Sequence, residues 1–369
     1  MASAYPEFIG FGYASCLTCH YNGQGSGPLN DYGRALWSAE IASRAIYPRS
    51  MTDEDIAAQS GFLGTIQMPA WLRPHVKYRD VNLIRNYQSS SQTQRFYRMQ
   101  VDAGVTVSDP DSNYVGVLTF GDVVQAGENK MRFLAREYFF RTEVVKSYWL
   151  YVGLLEKVFG LRNIDHESFQ RKPQGFRYTL NEPSGMAQSH GVVLQKIEDT
   201  WDFAINGFVG NPYDDPQYRQ KGFSTQSELE VGEKKRLGFS LYSGKSDTLE
   251  KNMAAVHYRQ AVAQGSAVMA EYGLIQDDLQ GVAKTRGSYN LLQSLISLTR
   301  GYNLKTTIER YNKDFKPSEP DIWRWSVGVL AFPLPRLELR GEIVNGRAFS
   351  DQAVSDDVWY LQGQIHVSL

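Results

Sequence analysis

The sequence predicts a mainly β chain: an antiparallel transmembrane β-barrel of about 16 strands with a small α-helical domain at its N-terminus acting as a plug. Three observations predict it. Apolar and polar residues alternate with period two from Trp71 to the end of the chain. Short and long connections between those runs alternate as well. Helical spacing is confined to the stretch before Trp71, which also holds the only two cysteines, Cys16 and Cys19, in a C-x-x-C-H motif. The chain therefore divides into residues 1–70 and residues 71–369.

The first element is "MASAYPEF", which lacks the charged region and apolar stretch of a secretory signal. Export then implies a signal peptide removed ahead of it, and "ASA" is compatible with the remnant of a cleavage site. The second is "CLTCH", from Cys16 to His20, the attachment signature of a c-type haem. Two thiols on one short turn reach the two vinyl groups of a porphyrin and tether it through thioether bonds. The adjacent imidazole of His20 takes the proximal position on the iron. A redox disulfide is one alternative, but no βαβ pattern surrounds the motif. Half a zinc site is another, but it needs further ligands and the next histidine is His75. One covalent haem c is the expected cofactor.

For the sixth position on the iron, Met68 is favoured, His75 follows and Met51 comes last. Met68 stands in "TIQMPAWLRP", where Pro69 stiffens the loop that presents the sulfur. A thioether also raises the reduction potential relative to a second imidazole. Packing of Met68 in a small core is the structural alternative.

Between these ligands, Asn30 is placed to cap a helix over "DYGRALWSAEIASRA". Tyr32, Leu36, Trp37, Ile41 and Ala45 form its apolar stripe. Thr52 and Asp55 make a capping box for a second short helix, which Gly61 or Gly64 would end. These apolar faces need a core, and a haem supplies one. The glycines of "YNGQGSGP" let the chain pass close to a porphyrin edge or serve as ordinary loop glycines.

From Trp71 the strands follow. In "WYLQGQIHVSL", Trp359, Leu361, Gly363, Ile365, Val367 and Leu369 face one way; Tyr360, Gln362, Gln364, His366 and Ser368 face the other. "RLELRGEIV" and "LKTTIER" repeat the scheme. The runs, roughly 9 to 14 residues long, match a tilted bilayer crossing. Glu338, Arg340 and Glu342 alternate in sign on the inward side, which favours mutual neutralisation over an ion site. Short turns fall around Glu198–Thr200, Gly232–Lys234, Gly265, Gly301 and Leu334. Longer connections fall at Leu161–Gln188, Asn211–Lys221, Lys245–Asn252, Gln276–Gly287, Lys313–Pro320 and Arg347–Asp357. Short turns on one side and long loops on the other are the pattern of periplasmic turns and extracellular loops. Both ends of the barrel sequence fall on the turn side, so the N-terminal domain enters from there. A propeller would show an internal repeat, and none is present. The last residue is Leu369, where such barrels commonly end in an aromatic.

Composition narrows the partners. Net charge is −1 with no polybasic tract, so nucleic acid is not expected. The 22 tyrosines suit aromatic girdles at the two faces of a bilayer.

A single C-x-x-C-H segment followed by one barrel resembles the fused monohaem cytochrome–porins of the bacterial outer membrane. "CLTCH" followed by "GPLNDYGRALW" is similar to that family's haem motif and the segment after it, here Pro28, Leu29, Asn30 and Gly33. The resemblance implies that Cys16, Cys19 and His20 hold the haem. It implies partners on both sides of an outer-membrane lipid bilayer: an extracellular donor such as Fe(II), or an acceptor, and a periplasmic carrier such as a soluble cytochrome. The expected function is an electron conduit, with Fe(II) oxidation as its possible enzymatic form. The alternative is a porin or structural barrel whose haem-binding plug serves as sensor or stabiliser.

Overall fold

The computed structural model describes residues 6–25, 27–64, 66, 68–87, 90–124, 131–162, 168–171, 188–349 and 358–369. Sixteen strands form one closed antiparallel barrel. They are β1 (Leu72–Tyr87), β2 (Ser90–Ser108), β3 (Tyr114–Val124), β4 (Met131–Val145), β5 (Tyr148–Glu156), β6 (Gln188–Ile197), β7 (Trp201–Phe208) and β8 (Lys221–Gly232). The second half is β9 (Lys235–Lys245), β10 (Leu249–Ala263), β11 (Ser266–Leu279), β12 (Thr285–Thr299), β13 (Tyr302–Asn312), β14 (Asp321–Leu334), β15 (Leu337–Phe349) and β16 (Val358–Ser368). Each strand bonds its sequence neighbours, and β1 closes on β16 from Lys77↔Ser368 to Tyr87↔Val358. Closure leaves no strand edge exposed.

The alternation expected from the sequence decides which way each side chain points. On β9, Leu237, Phe239 and Leu241 are exposed on the outer face, while Arg236, Ser240 and Tyr242 are buried inside. On β16, Trp359, Leu361 and Ile365 face out, and Gln362, Gln364 and His366 face in. An apolar exterior around a polar interior is the inverse of a water-soluble protein. Along β15 the buried carboxylates have partners: Arg340 lies 2.6 Å and Lys305 3.4 Å from Glu342, and His366 Nδ1 lies 2.9 Å from Glu338. Neutralisation along Glu338–Glu342 is what the sign alternation predicted.

The turns expected at Glu198–Thr200, Gly232–Lys234, Gly265, Gly301 and Leu334 lie at one end of the barrel. The longer connections lie at the other, although residues 163–167, 172–187 and 350–357 of two of them fall outside the described residues.

The segment before β1 sits inside the turn end. Gly265 N donates to Gly10 O at 2.9 Å, Ser43 N to Phe332 O at 2.8 Å, and Arg300 Nη1 to Asp53 Oδ1 at 2.9 Å. Asn30 caps the first helix, α1 (Asp31–Leu36), by accepting from Gly33 N at 2.8 Å. The helix is shorter than predicted. It widens into a π-turn at Trp37–Ile41 and stops at Ala42 rather than continuing to Ala45. The barrel wall ends it: Phe332 takes the Ser43 amide, and Arg300 Nε donates to Ala42 O at 2.9 Å. Leu36, Trp37 and Ile41 are buried as predicted, but Tyr32 is 51% exposed and Ala45 is exposed. The second helix, α2 (Asp53–Ala58), has the Thr52–Asp55 capping box. It ends at Gln59, short of Gly61 and Gly64.

Candidate functional site

The C-x-x-C-H motif forms a single 3₁₀ turn, Cys16–Thr18, with the amides of Cys19 and His20 both donating to Cys16 O, at 3.2 and 3.0 Å. Ser15 starts the turn by accepting from Leu17 N. The "GPLN" segment then clamps it from behind. Leu29 pairs with His20 as an isolated β-bridge, Asn30 N donates to Cys19 O at 3.0 Å, and Asn30 Nδ2 donates to Thr18 O at 3.0 Å. Gly33 completes the clamp. A Cβ there would lie 2.3 Å from Cys19 O and 2.9 Å from Leu29 Cδ2, so only glycine lets α1 rest on the motif. Asn30 and Gly33 thus have a local structural reason: they hold the turn that carries both thiols.

The barrel wall grips the loop after the motif. Arg141 Nη1 donates to Tyr21 O at 2.8 Å, Asn22 Nδ2 to Glu137 Oε1 at 3.2 Å, and Gly23 N to the Tyr151 hydroxyl at 3.2 Å. A side chain at Gly23 would run into Gln195 and Tyr151. The glycine-rich run therefore lets backbone approach the lumen wall closely.

Cys16, Cys19 and His20 all face one hollow between plug and wall. Its apolar side is built from Leu29, Leu36, Trp37, Ile41 and Phe332. Its polar side carries Arg162, Asp202, Gln226, Glu228 and Arg259 from the wall and the β5–β6 connection. The space free of protein atoms there is about 800 Å³, part of it open to solvent.

The donor set fits a haem c. Both cysteines are free thiols, Cys16 half-buried and Cys19 buried. Burial, with Cys16 nearby, pushes the Cys19 thiol up to about 12, so it stays protonated. Burial, with the Lys77 charge nearby, pushes His20 down to about 3, which leaves the neutral imidazole that can ligate iron. His20 is 1% exposed, and its Nδ1 is buried without a hydrogen-bond partner among the described residues. Such an atom calls for a partner that none of the described residues supplies. Among the described residues no group of three or more His, Cys, Asp or Glu side chains is arranged to hold a metal ion, so zinc finds no further ligands at Cys16 and Cys19.

The three candidates for the sixth position do not line this hollow. Met68 is half-buried in the stretch leading into β1. Met51 lies at the turn end, where its carbonyl accepts from Arg44. His75 is buried on β1 with Nε2 3.0 Å from Thr119 Oγ1. It borders a second, smaller hollow that shares Leu29 and Trp37 with the first. Sequence reasoning missed the polar side of the site. Gln226, Glu228 and Arg259 occupy inward positions of β8 and β10, where period-two patterning marks them as lumen residues but not as neighbours of the motif. Arg162 carries no signal at all, since it lies in a connection expected to leave the barrel.

No family model and no curated protein sequence matches the chain. Solved structures do. OmpT of Vibrio cholerae, an outer-membrane protein, superposes with a TM-score of 0.61 at 8% identity, over 82% of this chain and 99% of that one. The outer-membrane channel DcaP of Acinetobacter baumannii gives 0.58 at 9% identity, over 84% and 99%. The anion-selective porin of Comamonas acidovorans gives 0.56 at 7% identity, over 81% and 99%. The chain has the closed sixteen-stranded barrel fold of outer-membrane porins. Likeness at this identity concerns the fold alone.

Proposed function

We propose that the protein is an outer-membrane electron conduit in which one haem c, held in the barrel lumen, links a donor or acceptor outside the cell to a carrier in the periplasm. The observation that carries this reading is the convergence of Cys16, Cys19 and His20 on one hollow between plug and wall. The apolar belt of exposed residues such as Leu237, Phe239 and Leu241 supports a lipid-embedded barrel, and the turn end that receives the plug corresponds to the periplasmic side.

A haem held by these residues would supply a one-electron couple within an otherwise insulating barrier. The chain does the rest. Cys16 and Cys19 tether the group so that it cannot be lost from a compartment where replacement is difficult. His20 presents a neutral nitrogen, and Leu36, Trp37 and Phe332 exclude water from one side. Arg162 and Arg259 offer cationic groups on the other. The plug is bonded to the wall inside the turn end, an arrangement that suits electron passage. The reading also rests on the resemblance to the cytochrome–porins. Fe(II) is the donor that the resemblance suggests.

A second reading is a porin-type or structural barrel whose plug binds haem as a sensor or stabiliser. The structural neighbours taken alone favour it, because those described above include a channel and an anion-selective porin. One experiment separates the two. The protein is purified from membranes in detergent, oxidised, and titrated with Fe(II) while the haem α-band is followed; solute flux is measured in liposomes. Reduction without flux supports the conduit. Flux without reduction supports the porin. Absence of covalent haem after denaturing electrophoresis overturns both haem-based readings.

A further inference from the structure

We propose that Arg162 is a positioning residue that locks the attachment motif to the barrel wall and sets the charge beside it, an inference that rests on the haem reading above. After β5 the chain turns into the lumen instead of leaving the barrel. Phe159 and Leu161 are 4% and 3% exposed. Three strands fix this inward path. Gly160 N donates to Ser240 Oγ on β9 at 2.9 Å, Leu161 N to Glu271 Oε2 on β11 at 2.6 Å, and Gln226 Nε2 on β8 to Gly160 O at 2.9 Å.

Arg162 is thereby delivered into the hollow, with its side chain 12% exposed. Its Nη1 donates to Gly23 O in the plug and lies 3.7 Å from Cys16 Sγ. Its Nη2 donates to Gln226 Oε1 on the wall, and Asp202 Oδ2 stands 4.0 Å from Nη1. One planar side chain thus touches loop, plug and wall together, and a guanidinium keeps its charge at any physiological pH.

The consequence is electrostatic. Ferric haem carries one more positive charge than ferrous haem. A fixed cation beside the sulfur that becomes a thioether disfavours the ferric state and raises the reduction potential. Asp202 and Glu228, which line the same hollow, offset part of this effect. A purely structural arginine would alter stability but would have no need of its charge.

The test uses the full-length protein in detergent, with covalent haem read by haem staining of denaturing gels and the midpoint potential read by redox titration. In Arg162→Gln, covalent haem is retained and the potential falls. Arg162→Lys restores most of the drop, because the charge returns without the fork geometry. Gln226→Met removes the wall anchor but leaves the charge, and gives a smaller drop in the same direction. If Arg162→Gln carries haem at the parent's potential, the proposal is overturned. If that variant does not accumulate, Gln226→Met decides, and an unchanged potential there overturns it equally. A parent without covalent haem overturns the function proposed above, a result distinguishable from a haem-bearing parent insensitive to Arg162.

Discussion

The barrel wall and the plug are built on opposite principles. The wall is held by continuous backbone ladders, such as the fourteen residue pairs between β10 and β11. The plug has two six-residue helices, too short to be stable alone. It is held instead by side chains that cross between the two regions. Arg141 and Arg259 of the wall donate to the carbonyls of Tyr21 and Ala14 at 2.8 and 2.6 Å, and Arg34 of the plug donates to Pro74 O at 3.1 Å. The difference teaches that the barrel can form without the plug, whereas the plug takes its shape from the barrel.

The sharpest way to break this comparison is to remove the thiols. Replacing Cys16 and Cys19 together by serine abolishes covalent haem completely, while the barrel still folds and still shows heat-dependent migration on gels. Loss of the folded barrel in that variant would contradict the independence of the wall. Next in size is Glu228→Ala. Glu228 on β8 accepts from Arg259 and lies 3.0 Å from His257. Its removal leaves a buried guanidinium without its carboxylate, at a cost of about 3–5 kcal/mol. Thermal unfolding of the barrel measures it, and the Ala14 contact ties that loss to the plug.

The wall was legible in the sequence because period-two patterning acts on every residue. Leu339 and Ile343 against Glu338 and Glu342 state their own faces. The motif was legible because Cys16, Cys19 and His20 are adjacent in the chain. What was not legible depends on contacts between distant segments. The first helix was drawn four residues too long because Phe332 and Arg300, which end it, lie about 260–290 residues further on. The sixth-position candidates were chosen by residue type, but the path of the chain keeps Met68 in the stretch leading into β1 and turns His75 toward Thr119. Arg162 was invisible because nothing local marks a connection that turns inward; only its bonds to Ser240, Glu271 and Gln226 do so.

A finer probe is Gly33→Ala, which tests whether α1 must rest on the motif. The added methyl meets the Cys19 carbonyl, a backbone atom that cannot swing aside. The expected cost is about 1–3 kcal/mol, the usual price of overpacking, and it falls on the plug alone. Haem loading decreases and the plug becomes more sensitive to protease, while barrel unfolding is unchanged. Equal haem loading in parent and variant would show that the helix can shift without disturbing the turn.

The smallest expected effect is pH-dependent and lies at the rim, where Asp31 of α1 meets Arg73 of β1. Arg73 donates through Nε to Asp31 Oδ1 at 2.6 Å and through Nη2 to Oδ2 at 2.5 Å. This hydrogen bonding holds the Asp31 carboxyl below its ordinary value, against the opposing effect of partial burial. A carboxyl with a depressed folded value stabilises the fold above its unfolded pKa and loses that contribution as pH falls through the folded one. The plug is therefore fully latched here at neutral pH and loosens in acid. Because Asp31 is well exposed, the contribution is about 0–1 kcal/mol. Limited proteolysis of the plug across an acid series measures it: cleavage of the parent accelerates as pH falls, while Asp31→Asn starts at the faster rate and lacks this part of the dependence. If the two profiles coincide, the rim pair does not hold the plug, and the grip rests on the arginines deeper in the lumen.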